Sequence, residues 1–377
     1  MEIKLKYITK LKSRLMNEKD IQFLFDSFQV KAKIQDWASY GNGHINDTIL
    51  IKTDSDKNFI LQRKNHNIFK DVPGMLDNIV KVTNHIREKL LAQGINDIDR
   101  RVMKYYPAKD GKMFVKDEKG NYWTLFLFIP DSRSIEAIEN PNQAYMAAQA
   151  FGHFQEQLSD LSGKELIETI PNFHNGITRL RYFNCAIAEN KAGRVAETQE
   201  LIDKILSRAE EMTSIQKGLN DKSIPLRITH NDTKINNILF DHSNNALCII
   251  DLDTVMPGSA LYDFGDAIRT IGNKAPEDEP VLEKIQFNQE IYESFARGYI
   301  SEAKAFLIQK EIDNLAFSCL YMAWEQAMRF LTDYLNGDTY YKISYPGHNL
   351  VRTKAQVRYL EVLEENRKKM EDIVRVN

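Results

Sequence analysis

The pattern of hydrophobic and polar residues changes character near residue 130. Before that point, residues 34–61 form short apolar runs separated by turn-forming residues, and similar runs follow at 102–106 and 122–129. This pattern predicts a meander of β-strands. Apolar residues at helical spacing between residues 73 and 94 predict one helix among the strands.

Helical periodicity dominates the first 30 residues and most of the chain after residue 130. Within the first 30 residues, Ile21, Leu24, Phe25 and Phe28 follow the i, i+3, i+4, i+7 spacing of one helix face. After residue 130, the same spacing predicts helices over residues 143–161, 195–217, 281–299 and 311–335. A strand pattern returns only in residues 227–255, where two apolar runs flank the turn DHSNN and predict a small hairpin.

These elements predict an α+β chain of two domains. The first, residues 1–130, contains the antiparallel sheet, and the second, residues 131–377, is larger and mainly helical and carries the hairpin. The length agrees with this division, because a chain of 377 residues exceeds what one ordinary core organises.

Composition narrows the possible partners. Lys and Arg number 50 against 53 Asp and Glu, a formal net charge of -3, so no general affinity for nucleic acid or an acidic membrane is expected. The most apolar run, residues 123–130, is much shorter than the about 20 residues of a membrane-spanning helix. Three widely spaced cysteines argue against a disulfide framework or a zinc site, and the cytoplasm is the expected location.

One ordered set of polar residues indicates a chemistry. His230, Asp232 and Asn237 in HNDTKINN have the spacing of the protein-kinase pattern HRDLxxxN, and Asp251 ends an apolar run 14 residues after Asn237. Phosphoryl transfer needs a carboxylate near the acceptor hydroxyl, together with an amide and a second carboxylate for metal ions. The set therefore predicts a kinase, although each residue alone is typical of a turn or a helix cap.

A literal DFG motif occurs later, at residues 263–265. It does not follow an apolar strand, so the metal role is assigned to Asp251, and Asp263 is expected to support the catalytic loop. Asp253 and Asp266 are expected to be ordinary capping or surface charges.

The motifs ITHNDTKINNILFD, CIIDLDTVMPG and LYDFGDAIR resemble the aminoglycoside phosphotransferase and choline kinase superfamily, which has a two-lobed protein-kinase-like fold. Within it, YGNGHINDT, FILQRKN and WEQAMRFLTDYLNGDTYYK are similar to the N-acetylhexosamine 1-kinases. The likeness spans roughly residues 40–350. It implies that ATP and Mg²⁺ are used to phosphorylate the anomeric hydroxyl of N-acetylglucosamine or N-acetylgalactosamine.

The resemblance implies roles for residues of the second lobe. Asp232 would be the catalytic base, and Lys234 would contact the transferring phosphate. Asn237 and Asp251 would bind Mg²⁺. Arg329 would recognise the sugar, although Glu325, Arg329 and Asp333 at i, i+4 and i+8 also fit a solvated helix stripe.

In the first lobe, the resemblance implies a nucleotide site. Gly41 and Gly43 would belong to a phosphate-covering loop, although Asn46 replaces the third glycine of GxGxxG, and His44 beside them would contact the sugar. The hinge at residues 125–130, including Phe128, would receive adenine.

The sequence leaves open which of two neighbouring residues, Gln62 or Arg63, contacts the ATP phosphates. Arg63 is the candidate partner of the ATP phosphates, but Gln62 faces the other side of the strand and only one of the two can point into the cleft. The acidic helix partner would be Asp77 or Glu88, and the sequence does not choose between them.

Three other functions remain to be distinguished. The first is a related kinase that acts on choline, an amino acid or an aminoglycoside. The second is a nucleotide-binding regulator without activity, which the presence of Asp232, Asn237 and Asp251 disfavours. The third is a helical scaffold protein, which would not respond to nucleotide. The sequence gives no oligomeric state.

Overall fold

A computed structural model of the chain describes residues 17–41 and 46–376. The residues group into two compact units. The first contains the described residues up to Ser132 and a later segment, Leu247–Asp253, and the second contains Arg133–Ala246 and the described residues from Thr254 onwards. The predicted fold class, α+β with an N-terminal antiparallel sheet and a larger, mainly helical C-terminal part, is confirmed.

The first unit is built on an antiparallel sheet. Its elements before Ser132 are α1 (Glu18–Asp26), β1 (Ile34–Ser39), β2 (Asp47–Thr53), β3 (Phe59–Lys64), α2 (Val72–Ala92), α3 (Ile98–Arg101), β4 (Tyr105–Tyr106), β5 (Val115–Lys116) and β6 (Tyr122–Leu127). The strands lie in the order β1-β2-β3-β6-β4, and β5 also pairs with β6.

The core of this unit lies between α1 and one face of the sheet. Ile21, Leu24 and Phe25 of α1 are buried against alternate residues of β2, β3 and β6, as the two-residue period of a strand requires. Asn17 caps the N-terminus of this helix, and its side chain accepts a hydrogen bond from the Asp20 amide at 2.9 Å. The predicted helix face is confirmed for these three residues, whereas the helix ends at Asp26 and Phe28 lies beyond it, in a β-bridge with Ala108. Residues 1–16 lie outside the described residues.

The second unit is mainly helical. Up to Phe240 its elements are α4 (Pro141–Gln157), α5 (Gly176–Glu189), α6 (Gln199–Leu206), α7 (Ala209–Met212), α8 (Ser214–Asn220), β7 (Arg227–Thr229) and β8 (Ile238–Phe240). After β9 (Ala246–Ile249) follow β10 (Met256–Gly258), α9 (Ala260–Ile271), α10 (Gln289–Ala303), α11 (Gln309–Asp313), α12 (Leu315–Leu335) and α13 (His348–Arg375). β7 pairs with β10, α4 packs on α10, and α12 packs on α5, α9 and α13.

Several predicted boundaries are wrong. The strand predicted at residues 102–106 contains only Tyr105–Tyr106, because the preceding residues form α3 and its C-cap. The helix predicted at 195–217 is divided into α6, α7 and α8, and the one predicted at 281–299 begins at Gln289. Among the helices of the described residues, none combines the length and the apolar character that a membrane span needs.

Candidate active site

The loop that carries HNDTKINN runs from the end of β7 to the start of β8 and is held by α9. The Asp263 carboxylate accepts hydrogen bonds from the backbone N–H groups of His230 (2.9 Å) and Asn231 (2.7 Å). The hydroxyl of Thr233 donates to the Asp263 carbonyl at 2.6 Å. The predicted role of Asp263 in supporting this loop is confirmed, and its DFG sequence is part of a buried helix.

The support for Asp263 is itself buried. Gln155 of α4 donates to the Asp263 carboxylate at 2.6 Å and accepts from the hydroxyl of Tyr299. Burial raises the pKa of Asp263, and the donated hydrogen bonds oppose that shift. Asn231, next to the predicted base, has a φ of 64°, a left-handed conformation that is uncommon outside glycine. The loop therefore has a fixed, strained shape.

Asp232 lies beside a lysine. Its carboxylate is 2.8 Å from Nζ of Lys234. Burial would raise the pKa of Asp232, but the charge and the hydrogen bond of Lys234 outweigh it and lower the pKa below its usual value. In turn, Asp232 raises the pKa of Lys234. Asp232 is thus ionised at neutral pH, with a cation next to it.

Asn237 is buried and lies at the end of the same loop, directly before β8. Its side-chain Nδ2 donates to the carbonyl oxygen of Asp232 at 2.8 Å and lies 3.3 Å from the Asp232 carboxylate. Because the nitrogen is used in this way, the amide oxygen is the atom of Asn237 that remains to bind a ligand.

The sequence analysis missed a second charged pair in this unit. Asp266 and Arg269 of α9 are both buried, and Nε of Arg269 donates to Asp266 at 2.9 Å. Burial lowers the pKa of Arg269, but Asp266 and Glu277 raise it by a larger amount. The charge of Arg269 also helps to lower the pKa of Asp232. The expectation that Asp266 is an ordinary surface or capping charge is wrong, because its partner lies one helical turn away inside the core.

The metal candidate Asp251 lies in the first unit. It is exposed and has a φ of 58°, again in the left-handed region. Two residues later, Asp253 is buried, and its carboxylate is 2.5 Å from Nζ of Lys64 on β3. The expectation of an ordinary surface charge is therefore wrong for Asp253 as well.

Lys64, which the sequence analysis did not select, is the buried cation of β3. Its ammonium group also donates to Oε1 of Gln62 at 2.6 Å. Gln62 and Lys64 share one face of the strand, and Arg63 points to the other face, where it pairs with Asp47 and contacts Asn121. The signal that identifies Lys64 was present in FILQRKN, since residues two apart in a strand lie on the same side.

The remaining nucleotide candidates are placed as follows. Gly41 is exposed with a φ of 76°, a conformation that favours glycine, whereas Gly43 and His44 lie outside the described residues. The backbone N–H of Phe128 donates to the Asn58 carbonyl at 2.9 Å, and its ring meets Tyr40 edge-on. Neither Asp77 nor Glu88 is among the partners of Arg63 or Lys64.

Arg329, the candidate for acceptor recognition, lies on the buried face of α12. Its guanidinium group is 4.9 Å from the ring centre of Phe173 and 5.7 Å from that of Tyr341. Burial lowers the pKa of Arg329, but Tyr341 and Glu325 raise it by a larger amount. The alternative of a solvated stripe is wrong, because Glu325 is fully buried and Asp333 is 4% exposed.

A cavity of about 330 Å³ borders Arg329. Its walls come from α5, α12 and the segment after α12, and include Arg179, Tyr182, Met328, Tyr340 and Tyr341. The nearby Asp333 carboxylate does not serve as an open acceptor, because the backbone N–H groups of residues 339–341 and the side chain of Asn349 donate to it. A second carboxylate of the lining, Glu189, is paired with Lys191 at 2.9 Å. The other polar groups offered to a ligand are mostly donors and hydroxyls.

Comparison with known proteins supports the same chemistry. A family model described as "Phosphotransferase enzyme family" matches residues 36–299. Similar solved structures include an aminoglycoside phosphotransferase from Alicyclobacillus acidocaldarius, with 12% identity, coverage of 97% of this chain and 98% of that chain, and a TM-score of 0.59.

Two further structures share the fold at 15% identity and a TM-score of 0.56, and each covers 94% of this chain. One is a microcompartment-associated aminopropanol kinase, of which 99% is covered, and the other is a spectinomycin phosphotransferase in complex with ADP and spectinomycin, of which 100% is covered. Since the family model covers most of the chain, this protein belongs to the phosphotransferase enzyme family.

Proposed function

We propose that this phosphotransferase transfers the terminal phosphoryl group of ATP to the anomeric hydroxyl of N-acetylglucosamine or N-acetylgalactosamine. The observation that carries the chemistry is the ionised Asp232 beside Lys234 on a loop fixed by Asp263. The acceptor oxygen bonds to the terminal phosphorus, the bond to the bridging oxygen breaks, and ADP leaves. Asp232 orients the hydroxyl and takes its proton, and Lys234 faces the negative charge of the phosphoryl group.

Asn237 and Asp251 are the proposed magnesium ligands. Both offer oxygen, which Mg²⁺ prefers, and Mg²⁺ typically takes one or two carboxylates from the protein together with phosphate and water. The described residues contain no group of three or more His, Cys, Asp or Glu side chains suited to a metal, which agrees with a site that the nucleotide completes. When bound, the ion neutralises charge on the phosphates.

For the nucleotide contact in β3, we now favour the face of Gln62 and Lys64 over that of Arg63. The side chain of Arg63 already pairs with Asp47, and the pair is partly exposed on the face opposite to Lys64. Gly41, Gly43 and Phe128 stay proposed contacts for ATP.

The cavity beside Arg329 is the proposed acceptor site, and His44, which lies outside the described residues, stays a candidate for sugar recognition. Arg329 and Arg179 supply donors to a neutral sugar, and the rings of Tyr340 and Tyr341 supply apolar surface. The positive charges of these two arginines would repel a cationic acceptor, such as the amino alcohol in the name of the aminopropanol kinase. The charges therefore favour a sugar over choline or an aminoglycoside.

An acceptor screen tests this proposal. ATP consumption is measured with N-acetylglucosamine, N-acetylgalactosamine, glucose, galactose, choline, ethanolamine and several amino acids, and phosphorus NMR locates the phosphate in the product. We expect turnover of the N-acetylhexosamines with phosphate on the anomeric oxygen. Turnover of choline or ethanolamine alone would refute the sugar assignment.

A second measurement separates the kinase from a scaffold protein. A nucleotide that binds only the folded chain at 100 times its Kd stabilises it by about 2.7 kcal/mol. Absence of any thermal shift with magnesium and ATP, together with no turnover, would refute the kinase assignment itself.

A further inference from the structure

His174 is a buried residue of the second unit that contacts the HNDTKINN loop from outside. Its Nε2 lies 3.1 Å from the carbonyl oxygen of Asn231. A carbonyl oxygen only accepts hydrogen bonds, so Nε2 carries the proton in this contact. His174 is 6% exposed, so water does not readily replace this hydrogen bond if the ring is removed.

The hydrogen bond holds the peptide group that directly precedes the proposed base. The carbonyl of Asn231 lies in one rigid plane with the backbone N–H of Asp232, and that N–H donates to Nδ1 of His230 at 3.3 Å. Both polar groups of this peptide are therefore bonded. The left-handed conformation of Asn231 persists only where its surroundings fix it, and His174 supplies one of these constraints.

The segment that carries His174 is fixed in turn. The carbonyl of His174 accepts a hydrogen bond from the hydroxyl of Tyr321 at 2.5 Å. The carbonyl of Phe173 accepts from Nε and Nη2 of Arg179 at 2.9 and 2.7 Å. The imidazole ring packs against the rings of Phe173 and Tyr262, whose centres lie 4.3 and 5.3 Å away. These contacts hold the ring in one position.

The other nitrogen of the ring faces a residue next to the proposed acceptor site. Nδ1 of His174 lies 3.6 Å from the Glu325 carboxylate, and Nη1 of Arg329 lies at the same distance from that carboxylate. Arg329 lines the acceptor cavity. One ring therefore lies between the peptide of the base and the anion that pairs with the acceptor-site arginine.

We infer that His174 is a positioning residue that aligns the Asp232 carboxylate with an acceptor bound beside Arg329. It acts through the Asn231 carbonyl and does not touch the substrate. This inference rests on the proposed function, because it needs Asp232 to be the base and the cavity to hold the sugar.

Two substitutions separate this hydrogen bond from the packing of the ring. The side-chain nitrogen of glutamine can take the place of Nε2, whereas that of asparagine ends near the place of Nδ1 and does not reach the Asn231 carbonyl. Both variants lose the aromatic contacts of the ring, so the comparison between them isolates the hydrogen bond.

His174→Asn should lower kcat for the N-acetylhexosamine by about 10- to 100-fold, because a misplacement of about 1 Å can cost about 10²-fold in rate. His174→Gln should recover most of this loss. The KM for the sugar and the Kd for AMP-PNP should change little in either variant, since the aligned base is needed in the transition state rather than for binding.

Calorimetric titration with AMP-PNP and Mg²⁺ gives the fraction of each preparation that binds nucleotide, and kcat is expressed per binding chain. A partly unfolded variant is then not mistaken for a slow one. The matched control is His153→Gln, which changes a half-exposed histidine of α4 whose Nδ1 lies 3.6 Å from Glu302. This variant should keep the wild-type kcat.

Equal kcat values for His174→Asn and His174→Gln would overturn the inference, because the effect of His174 would then not depend on the hydrogen bond. A higher sugar KM with unchanged kcat in His174→Asn would overturn it too. A wild-type chain that phosphorylates neither N-acetylhexosamine would instead refute the proposed function, and the inference would fall with it.

Discussion

The Glu325 carboxylate lies 3.6 Å from Nη1 of Arg329, one helical turn along α12. Nδ1 of His174 and Nε of Arg179 lie at the same distance of 3.6 Å, and no described residue forms a hydrogen bond with either carboxylate oxygen. One fully buried anion thus lies among three cationic or ionisable groups, and two of these, Arg179 and Arg329, line the proposed acceptor site. His174 also contacts the carbonyl oxygen of Asn231, beside the proposed base, at 3.1 Å.

This arrangement predicts a pH dependence of stability. Burial would raise the pKa of Glu325, but Arg329 and His174 lower it to about 2, from 4.5. A carboxylate with a lowered pKa stabilises the folded state above its unfolded pKa, and this contribution is lost as the pH falls from about 4.5 to about 2. A difference of this size corresponds to roughly 3 kcal/mol.

The measurement is urea denaturation between neutral pH and pH values below 4.5, for wild type and Glu325→Gln. The variant should be less stable at neutral pH and should lose less stability on acidification. Parallel pH curves for the two proteins would contradict the role of Glu325 as the charged centre.

Asp232→Asn should fold normally and bind ATP, but lose roughly 10²- to 10⁴-fold in kcat, the usual contribution of a positioned acid or base. The pKa of Asp232 is lowered. Protonation of Asp232 should therefore not reduce wild-type activity as the pH falls from neutral to the range in which an ordinary carboxyl group titrates. Steady-state kinetics against pH check both points. Near-normal turnover by the variant would remove Asp232 from the mechanism.

Arg329→Ala should raise the KM for the sugar by at least about tenfold, since loss of one hydrogen bond to a charged group costs about 1.5–3 kcal/mol. The Kd for ATP should change little. A matched control is Arg297→Ala, which removes an exposed arginine that lies over Tyr145 in the same unit. If sugar KM and kcat are both unchanged in Arg329→Ala, the acceptor site lies elsewhere.

Lys64→Met should destabilise the chain by about 3–5 kcal/mol, because it leaves the buried Asp253 charge without its cation. The double variant Lys64→Met/Asp253→Leu removes both charges and should recover much of that loss. Chemical denaturation of the single and double variants measures the difference. Equal stability of the two variants would show that the ion pair is not the cause.

Gly265→Ala should destabilise the second unit by about 1–3 kcal/mol or more, the cost of inserting a methyl group into a packed core. A Cβ at this position would overlap the Ser318 carbonyl of α12, so α9 and α12 would have to separate. Gly163→Ala is the control, because its Cβ would lie 3.6 Å from the nearest atom. Thermal denaturation of the two variants tests whether close approach, rather than loss of glycine itself, is responsible.

Local patterns predicted much of this molecule. The amphipathic face of α1 and the order of polar residues in HNDTKINN are visible over short stretches of sequence. By contrast, almost every residue of α9 is buried. Its charged residues Asp263, Asp266 and Arg269 recur at helical spacing, which is typical of a solvated face, so their burial has no signature in the local pattern. The partner of Lys64 is 189 residues away, and neither the ion pair nor the burial of Asp253 has a local signature.

The first unit is discontinuous in sequence, since Leu247–Asp253 belongs with the residues before Ser132. A fragment that ends at Ser132 would therefore contain Lys64 and Asn46 without the Asp253 carboxylate that accepts a hydrogen bond from each of them. During synthesis, the ribosome must release more than a hundred further residues, among them α4, α5 and the HNDTKINN loop, before this unit can be completed. The first unit therefore cannot be completed in strict order along the chain, although domains generally fold from the N-terminus onwards.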